Sequence, residues 1–245
     1  MLSSLFFSLT LFSAVVGQSV LVNITNTTEF PYVFKVQVQS AQGYPTTFPG
    51  FAVSQKYILT SGQAFRDDAT LIKITDQLGV VYPTPKSTVI AGNFAILRIC
   101  KPLPGPYISM SEPSFNNLIV TVPDAEFILF NEDDDMLKRV TSLTVLNYGS
   151  CMTFTNGSIA DTSICVDINS TPEFCSFFSD AFGATPTFFR APAVVIDGQV
   201  NGIYTSSSKI GCNSANVNDE VGFYSSLSFN RVEIIAEIPD GVANP

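Results

Sequence analysis

Carboxylates gather at Asp67-Asp68 and at Glu132-Asp133-Asp134-Asp135, among other places. A pair of carboxylates facing each other across a groove can hydrolyse a glycosidic bond, so a hydrolase using Asp67, Asp68 or Asp133 to Asp135 is one reading. A solvated acidic turn is the other, because the second run lacks the spacing of an EF-hand calcium loop. Histidine is absent from all 245 residues. That removes the general base most used near neutral pH and the nitrogen ligand that zinc sites favour, so neither a metal nor a cofactor is expected. Cysteines stand at 100, 151, 165, 175 and 212. Five is an odd number, which in an oxidising compartment implies two bridges and one leftover thiol, with the pairing left open by the count. Cys100 as a nucleophile would lack a base to make its thiolate.

Other motifs concern the route the chain takes. Asn23-Ile24-Thr25, Asn26-Thr27-Thr28, Asn156-Gly157-Ser158 and Asn169-Ser170-Thr171 are acceptor triplets for N-linked glycans. Leu2 to Phe12 is almost wholly apolar and Ala14-Val15-Val16-Gly17 supplies small residues for cleavage, so residues 1–17 read as a signal peptide and the mature protein as secreted. The apolar run is too short to span a bilayer, and no later segment reaches the roughly 20 residues required. A net charge of −9 with 12 Lys and Arg leaves no basic stripe for nucleic-acid phosphates or anionic lipid. Nucleic acid and membrane are therefore not expected partners.

The elements that must position these groups are short strands. Tyr32 to Gln39 alternates Val33, Lys35 and Gln37 against Phe34, Val36 and Val38, and Leu71 to Thr75, Asn93 to Ile99, Leu118 to Val122 and Ala193 to Ile196 are of similar composition. Pro83-Thr84-Pro85, Pro102-Leu103-Pro104-Gly105-Pro106 and Asp197-Gly198 punctuate them. Many short strands predict an all-β sandwich or barrel. Nothing before residue 227 has a long helical period, Pro102 to Ser114 reads as an interdomain linker, and Leu227, Val232, Ile235 and Ile238 predict a short terminal helix ended by Pro239.

Taken in order, the strands carry a resemblance. Phe30-Pro31-Tyr32-Val33 and then Gly50-Phe51-Ala52-Val53-Ser54-Gln55-Lys56-Tyr57-Ile58-Leu59-Thr60-Ser61-Gly62-Gln63-Ala64 resemble the first barrel of the chymotrypsin-like serine proteases, where the pattern runs "G-G-S-L-I-S-x-x-W-V-L-T-A-A-H-C". Asn93-Phe94-Ala95-Ile96-Leu97-Arg98-Ile99 is similar to the family's "D-I-A-L-L-R-L", Pro192 to Ile203 to the strands after "G-D-S-G-G-P", and Ile210-Gly211-Cys212 with Gly222-Phe223-Tyr224-Ser225 to "G-C" and "G-V-Y-T". The resemblance implies two packed six-stranded antiparallel β-barrels over residues 18–238. The first covers about 18–110 and the second about 115–226, followed by a terminal helix at about 227–238 and a tail at 239–245.

Catalysis in that family needs a serine nucleophile, a histidine base, an aspartate that orients the histidine, and backbone N–H groups for the oxyanion. At the three triad positions this chain resembles the family only in place: Gln63 stands for the histidine, Asn93 for the aspartate and Phe189 for the serine. A different alignment of the rebuilt loop between Cys175 and Pro192 puts Ser176 or Ser179 near the old site, but neither would have a base. Phe188 replaces the acidic residue that pairs with the new amino terminus on activation, and Ser19-Val20-Leu21-Val22 replaces the "I-V-G-G" that supplies it. The resemblance thus implies an inactive homologue.

The same resemblance implies bridges Cys151–Cys165 and Cys175–Cys212. The family's other pairs are lost together, with Phe48 and Ala64 in place of one and Ala125 and Val195 near the other. Cys100 is then expected to be a buried inert thiol, with an intermolecular bridge as the alternative. Glu173 falls near the base of the specificity pocket, either selecting a basic group or standing as a loop carboxylate. Phe177, Phe178, Phe182, Phe188 and Phe189 crowd the rebuilt loop, forming either an exposed binding patch or a plug in the vacated cleft. The expected activity is protein binding, as regulator, decoy or inhibitor of a secreted enzyme; a structural secreted glycoprotein is the further alternative.

Overall fold

A computed structural model describes residues 21–26, 28–39, 43, 45–65, 69–83, 85, 87–91, 93–108, 122–130, 136–155, 163–167, 193–196, 198–207 and 221–238. Strands dominate, as the alternation predicts. In β2 (Val33–Gln39) Phe34, Val36 and Val38 are buried while Lys35 and Gln37 on the other face are half-buried, the period of two that a pleated strand imposes. β3 (Pro45–Ser54) and β4 (Tyr57–Ser61) are buried on both faces over most of their length, because one face lines the first barrel and the other meets the second.

The first sheet runs β6-β5-β2-β3-β4-β8-β7, with β5 at Thr70–Asp76, β6 at Val81–Tyr82, β7 at Ser87–Ala91 and β8 at Phe94–Arg98. β6 pairs with β5 and β7 with β8, all antiparallel. Residues 83–86 join β6 to β7, so the single stretch 81–91 carries the sheet from one edge to the other. Counted as one interrupted strand, it gives the expected six.

The second sheet closes on itself. β9 (Val122–Phe130), β10 (Leu137–Leu146), β11 (Ser163–Asp167), β14 (Val221–Ser226), β13 (Gln199–Ser207) and β12 (Ala193–Ile196) pair in that order, and β12 returns to β9. β11 reaches only Thr144 to Leu146 of β10, which leaves the earlier part of that side of β10 open. β1 (Leu21–Asn23) is added outside the ring, paired with Lys138 to Val140 of β10. This corrects the expected boundary: the segment from residue 18 was assigned to the first barrel, yet Leu21 to Asn23 belongs to the second. Register with β10 decides it, and Ile24 N donating to the Leu137 carbonyl at 2.9 Å prolongs the attachment.

One hydrophobic core runs through both barrels, with Phe34, Phe51 and Phe94 from the first and Phe127 and Phe130 from the second among its fully buried rings. Burying each such side chain is worth about 1.5–3 kcal/mol. β3 packs on β9 and β4 on β13, and Lys35 Nζ lies 5.5 Å from the centre of the Phe130 ring across the same junction.

Three further expectations change. The proline-rich stretch is no free linker over its described part: Leu103 and Ile108 are buried, and their N–H groups donate to Gln55 and Ala52 carbonyls at 2.8 and 2.9 Å. An unforeseen helix, α1 (Tyr148–Thr155), follows β10; eight residues are too few to display a period. At the end, α2 spans only Arg231–Ala236. Residues 227–230 are held as a turn by Asn230 Nδ2, which donates to the Ser226 carbonyl at 2.6 Å, and by the Ser226 and Ser228 hydroxyls 2.9 Å apart. Such local bonds compete with helix. Leu227, Ile234 and Ile238 are buried, whereas Val232, assigned to the apolar face, is 81% exposed.

Candidate functional site

Gln63 stands on a single 3-10 turn, Gly62–Phe65, that leaves the end of β4. Ser61, buried at that strand end, accepts the Gln63 N–H on its hydroxyl at 3.2 Å and so fixes the first step of the turn. Asn93 lies in the tight turn joining β7 to β8, whose register puts Ala91 opposite Phe94. Because Ser61 pairs with Phe94, the two turns sit one over the other. Gly62 N donates to the Asn93 carbonyl at 2.7 Å. A Cβ on Gly62 would lie 3.0 Å from both the carbonyl carbon and oxygen of Asn93, so a larger residue fits only if the Asn93 main chain gives by a few tenths of an ångström.

From that turn the Gln63 side chain reaches the second barrel. Its Nε2 donates to the carbonyl of Thr205 on β13. Gln63, Asn93 and Thr205 thereby meet where the barrels join. An amide can donate and accept hydrogen bonds but takes no proton near neutral pH, and none of these three side chains ionises. Phe189, the third expected position, lies outside the described residues.

The other expected positions divide in the same way. Cys151 on α1 and Cys165 on β11 form a disulfide with Cα atoms 5.9 Å apart, within the range such bridges occupy. Cys100, expected to be buried, is exposed and unbridged just after β8. Its neighbour Ile99 takes the buried place instead, its N–H donating to the Lys56 carbonyl at 2.7 Å. Asn23 and Asn26 are both exposed. Cys175, Cys212, Asn156, Asn169, Glu173, Ser176, Phe177, Phe178, Ser179, Phe182, Phe188, Asp67, Asp68 and Asp133 to Asp135 lie outside the described residues. Among the described residues no helix is long and apolar enough to cross a membrane.

A second group at the barrel junction escaped sequence reasoning. Tyr32 Oη donates to the Gly198 carbonyl at 2.9 Å, joining the start of β2 to the β12–β13 turn. Burial, then the Glu126 carboxylate, then that of Glu29 push its phenol up to about 12. Arg139 on β10 holds those two carboxylates, meeting Glu126 Oε1 at 3.3 Å and pairing with Glu29, and it stacks 5.8 Å from the Phe30 ring centre. Arg139 stands next to Lys138 and ahead of Thr141, Ser142 and Thr144, an ordinary mix for a half-buried strand, and nothing in the sequence pointed to its partners.

No protein-family model matches the sequence, and no curated protein matches it. Solved structures do. The scabies mite inactivated protease paralogue S-I1 has 14% identity and a TM-score of 0.61, covering 89% of this chain and 98% of its own. Kallikrein-related peptidase 10, in a complex with Zn2+, has 12% identity and a TM-score of 0.58, with 89% and 100% covered. The VesB protease of Vibrio cholerae has 15% identity and a TM-score of 0.61, with 89% and 67% covered. At such identities the likeness is one of fold, and the chain has the two-barrel fold of the chymotrypsin-like serine proteases.

Proposed function

We propose that the chain is a secreted protein that keeps the serine-protease scaffold without peptide-bond hydrolysis and acts by binding another secreted protein. One observation carries this reading. Gln63, on the turn after β4 where the resemblance puts the catalytic histidine, commits its Nε2 to the Thr205 carbonyl in a chain with no histidine anywhere. A serine hydroxyl is a weak nucleophile until a neighbouring base removes its proton. An amide already donating to a carbonyl supplies no such base. Asn93 adds no charge, and Phe189 adds no hydroxyl at the remaining position. One of the solved structures of this fold is itself described as an inactivated protease paralogue. The Cys151–Cys165 bridge and the apolar opening stretch agree with export to an oxidising compartment. A rigid barrel frame can go on presenting recognition loops after its chemistry is lost.

The test treats the mature protein with a labelled fluorophosphonate beside an active protease of the same fold, and uses the same protein as bait in the secretion it comes from. No covalent label, together with capture of one defined protein at stoichiometric amounts, is the expected result. Labelling at any serine overturns the loss of catalysis. Absence of any stoichiometric partner overturns binding as the role.

A further inference from the structure

We infer that Asn26, and not its neighbour Asn23, carries an N-linked oligosaccharide. Both begin acceptor triplets, three residues apart, and both side chains are exposed. Their surroundings differ. Asn26 Oδ1 accepts from the backbone N–H of Thr28 at 3.1 Å and from the Thr28 hydroxyl at 2.7 Å, and the Asn26 carbonyl accepts from Glu29 N at 3.1 Å. Asn26 and Thr28 are thus joined in the bonding pattern of an Asx turn by their own atoms. The hydroxyl polarises the side-chain amide, and among the described residues Nδ2 has no hydrogen-bond partner. Every bond of this turn is local, so it forms without the rest of the barrel.

Asn23 is held in the opposite manner. It is the last residue of β1, opposite Lys138 of β10, and the next residue, Ile24, is 6% exposed with its N–H bonded to Leu137. Among the described residues no hydrogen bond joins the Thr25 hydroxyl to Asn23 Oδ1, and β1 ends at Asn23 without a turn like that at Asn26. Directly paired strand residues share a face. A glycan on Asn23 would therefore crowd Lys138, which is buried against the barrel.

The reaction needs an activated donor, a lipid-pyrophosphate-linked oligosaccharide in the lumen of the secretory route proposed above. Asn26 Nδ2 attacks the anomeric carbon, and a C–N bond forms as the C–O bond to pyrophosphate breaks. The lipid pyrophosphate leaves with the electron pair, and the amide proton passes to a base of the transferase.

The full chain is expressed in eukaryotic secretory cells as wild type, N26Q, T28A, T28S, N23Q and T25A. Glycan number is read by gel mobility before and after amidase treatment, in cells and medium separately, so a poorly folding variant still reports. No Lys or Arg precedes Lys35, so trypsin leaves both sites on one peptide and only the variants or electron-transfer fragmentation separate them. N26Q and T28A are expected to lose one glycan, while T28S, N23Q and T25A keep it. Loss in N23Q or T25A, or no change in N26Q, overturns the assignment and leaves the secretory reading standing. A chain retained in the cells with no glycan at any triplet overturns both.

Discussion

The side-chain amide of Gln63 donates to the backbone carbonyl of Thr205, 142 residues further along the chain. One bond therefore ties the turn after β4 to a strand of the other barrel. Its donor is the essential part, since the acceptor is a carbonyl with no proton to give. Replacing Gln63 by Glu exchanges N–H for a second oxygen and sets acceptor against acceptor. Gln63→Ala is expected to cost about 1 kcal/mol, the net worth of a typical hydrogen bond. Gln63→Glu is expected to cost more at neutral pH and to recover toward wild type as acid protonates the carboxyl, whose O–H can then donate to the carbonyl. Urea unfolding at pH 7 and pH 4 measures both, and equal stability of the Glu variant and wild type would show that the bond holds nothing.

Gly62 is the hinge of the same arrangement. A methyl there meets the Asn93 main chain at 3.0 Å, and backbone, unlike a flexible side chain, has little room to yield. Gly62→Ala is expected to destabilise by about 1–3 kcal/mol, the usual range for overpacking, and to shift the amide signals of Gln63, Asn93 and Thr205 together. Thermal melting with a two-dimensional NMR spectrum tests this; a variant as stable as wild type would mean that the Asn93 main chain gives way at little cost.

The disulfide offers a third measurement. Cys151 and Cys165 are separated by 14 residues, and closing a loop of about that length removes roughly 3 kcal/mol of unfolded-chain entropy. Substituting both cysteines by alanine is expected to lower stability by about that amount while leaving the strand pairing of β11 with β14 in place. Substituting one alone is expected to produce disulfide-linked species as well, because it frees a thiol in addition to that of the exposed Cys100. Non-reducing gels and denaturant titration of the two variants separate these effects.

How much of this was legible follows from which interactions are local. Phe34, Val36 and Val38 alternate with half-buried neighbours, so β2 was visible in its residues, as was the turn at Gly198, whose φ of 72° favours glycine. Gln63 and Asn93 were found through the order of the strands around them, since neither residue type signals chemistry by itself. Pairing across distance was harder to read. Leu21 to Asn23 reads as a strand but does not say which barrel it joins, because only its register with Lys138 to Val140 settles that. Cys100 illustrates the same limit: it follows a buried strand, and a one-residue step from Ile99 carries it to the surface. The Arg139 group unites residues from three separate segments, which no local pattern records.

Tyr32 gives the clearest dependence on pH. Its phenol is raised from 10.0 to about 12 in the folded protein, first by burial and then by Glu126 and Glu29. The residue is 7% exposed, so solvent screening is slight. Below pH 10 both states keep the proton and the group contributes no pH dependence. Between about 10 and 12 the unfolded chain has lost the proton that the folded chain retains, so fewer protons are bound on unfolding and stability falls as pH rises, by about 1.4 kcal/mol per unit. Tyr82, also raised by burial and the adjacent Asp76, contributes a slope of the same sign to every variant that keeps it. Tyr32→Phe removes one slope and also the 2.9 Å bond to the Gly198 carbonyl. It is expected to be about 1 kcal/mol less stable than wild type at pH 7 to 9, with the gap closing and then reversing as the pH passes from 10 to 12. Denaturant unfolding of the two proteins across that interval decides the matter: parallel curves would mean that the Tyr32 phenol titrates alike in both states and that its burial at the barrel junction has no energetic consequence.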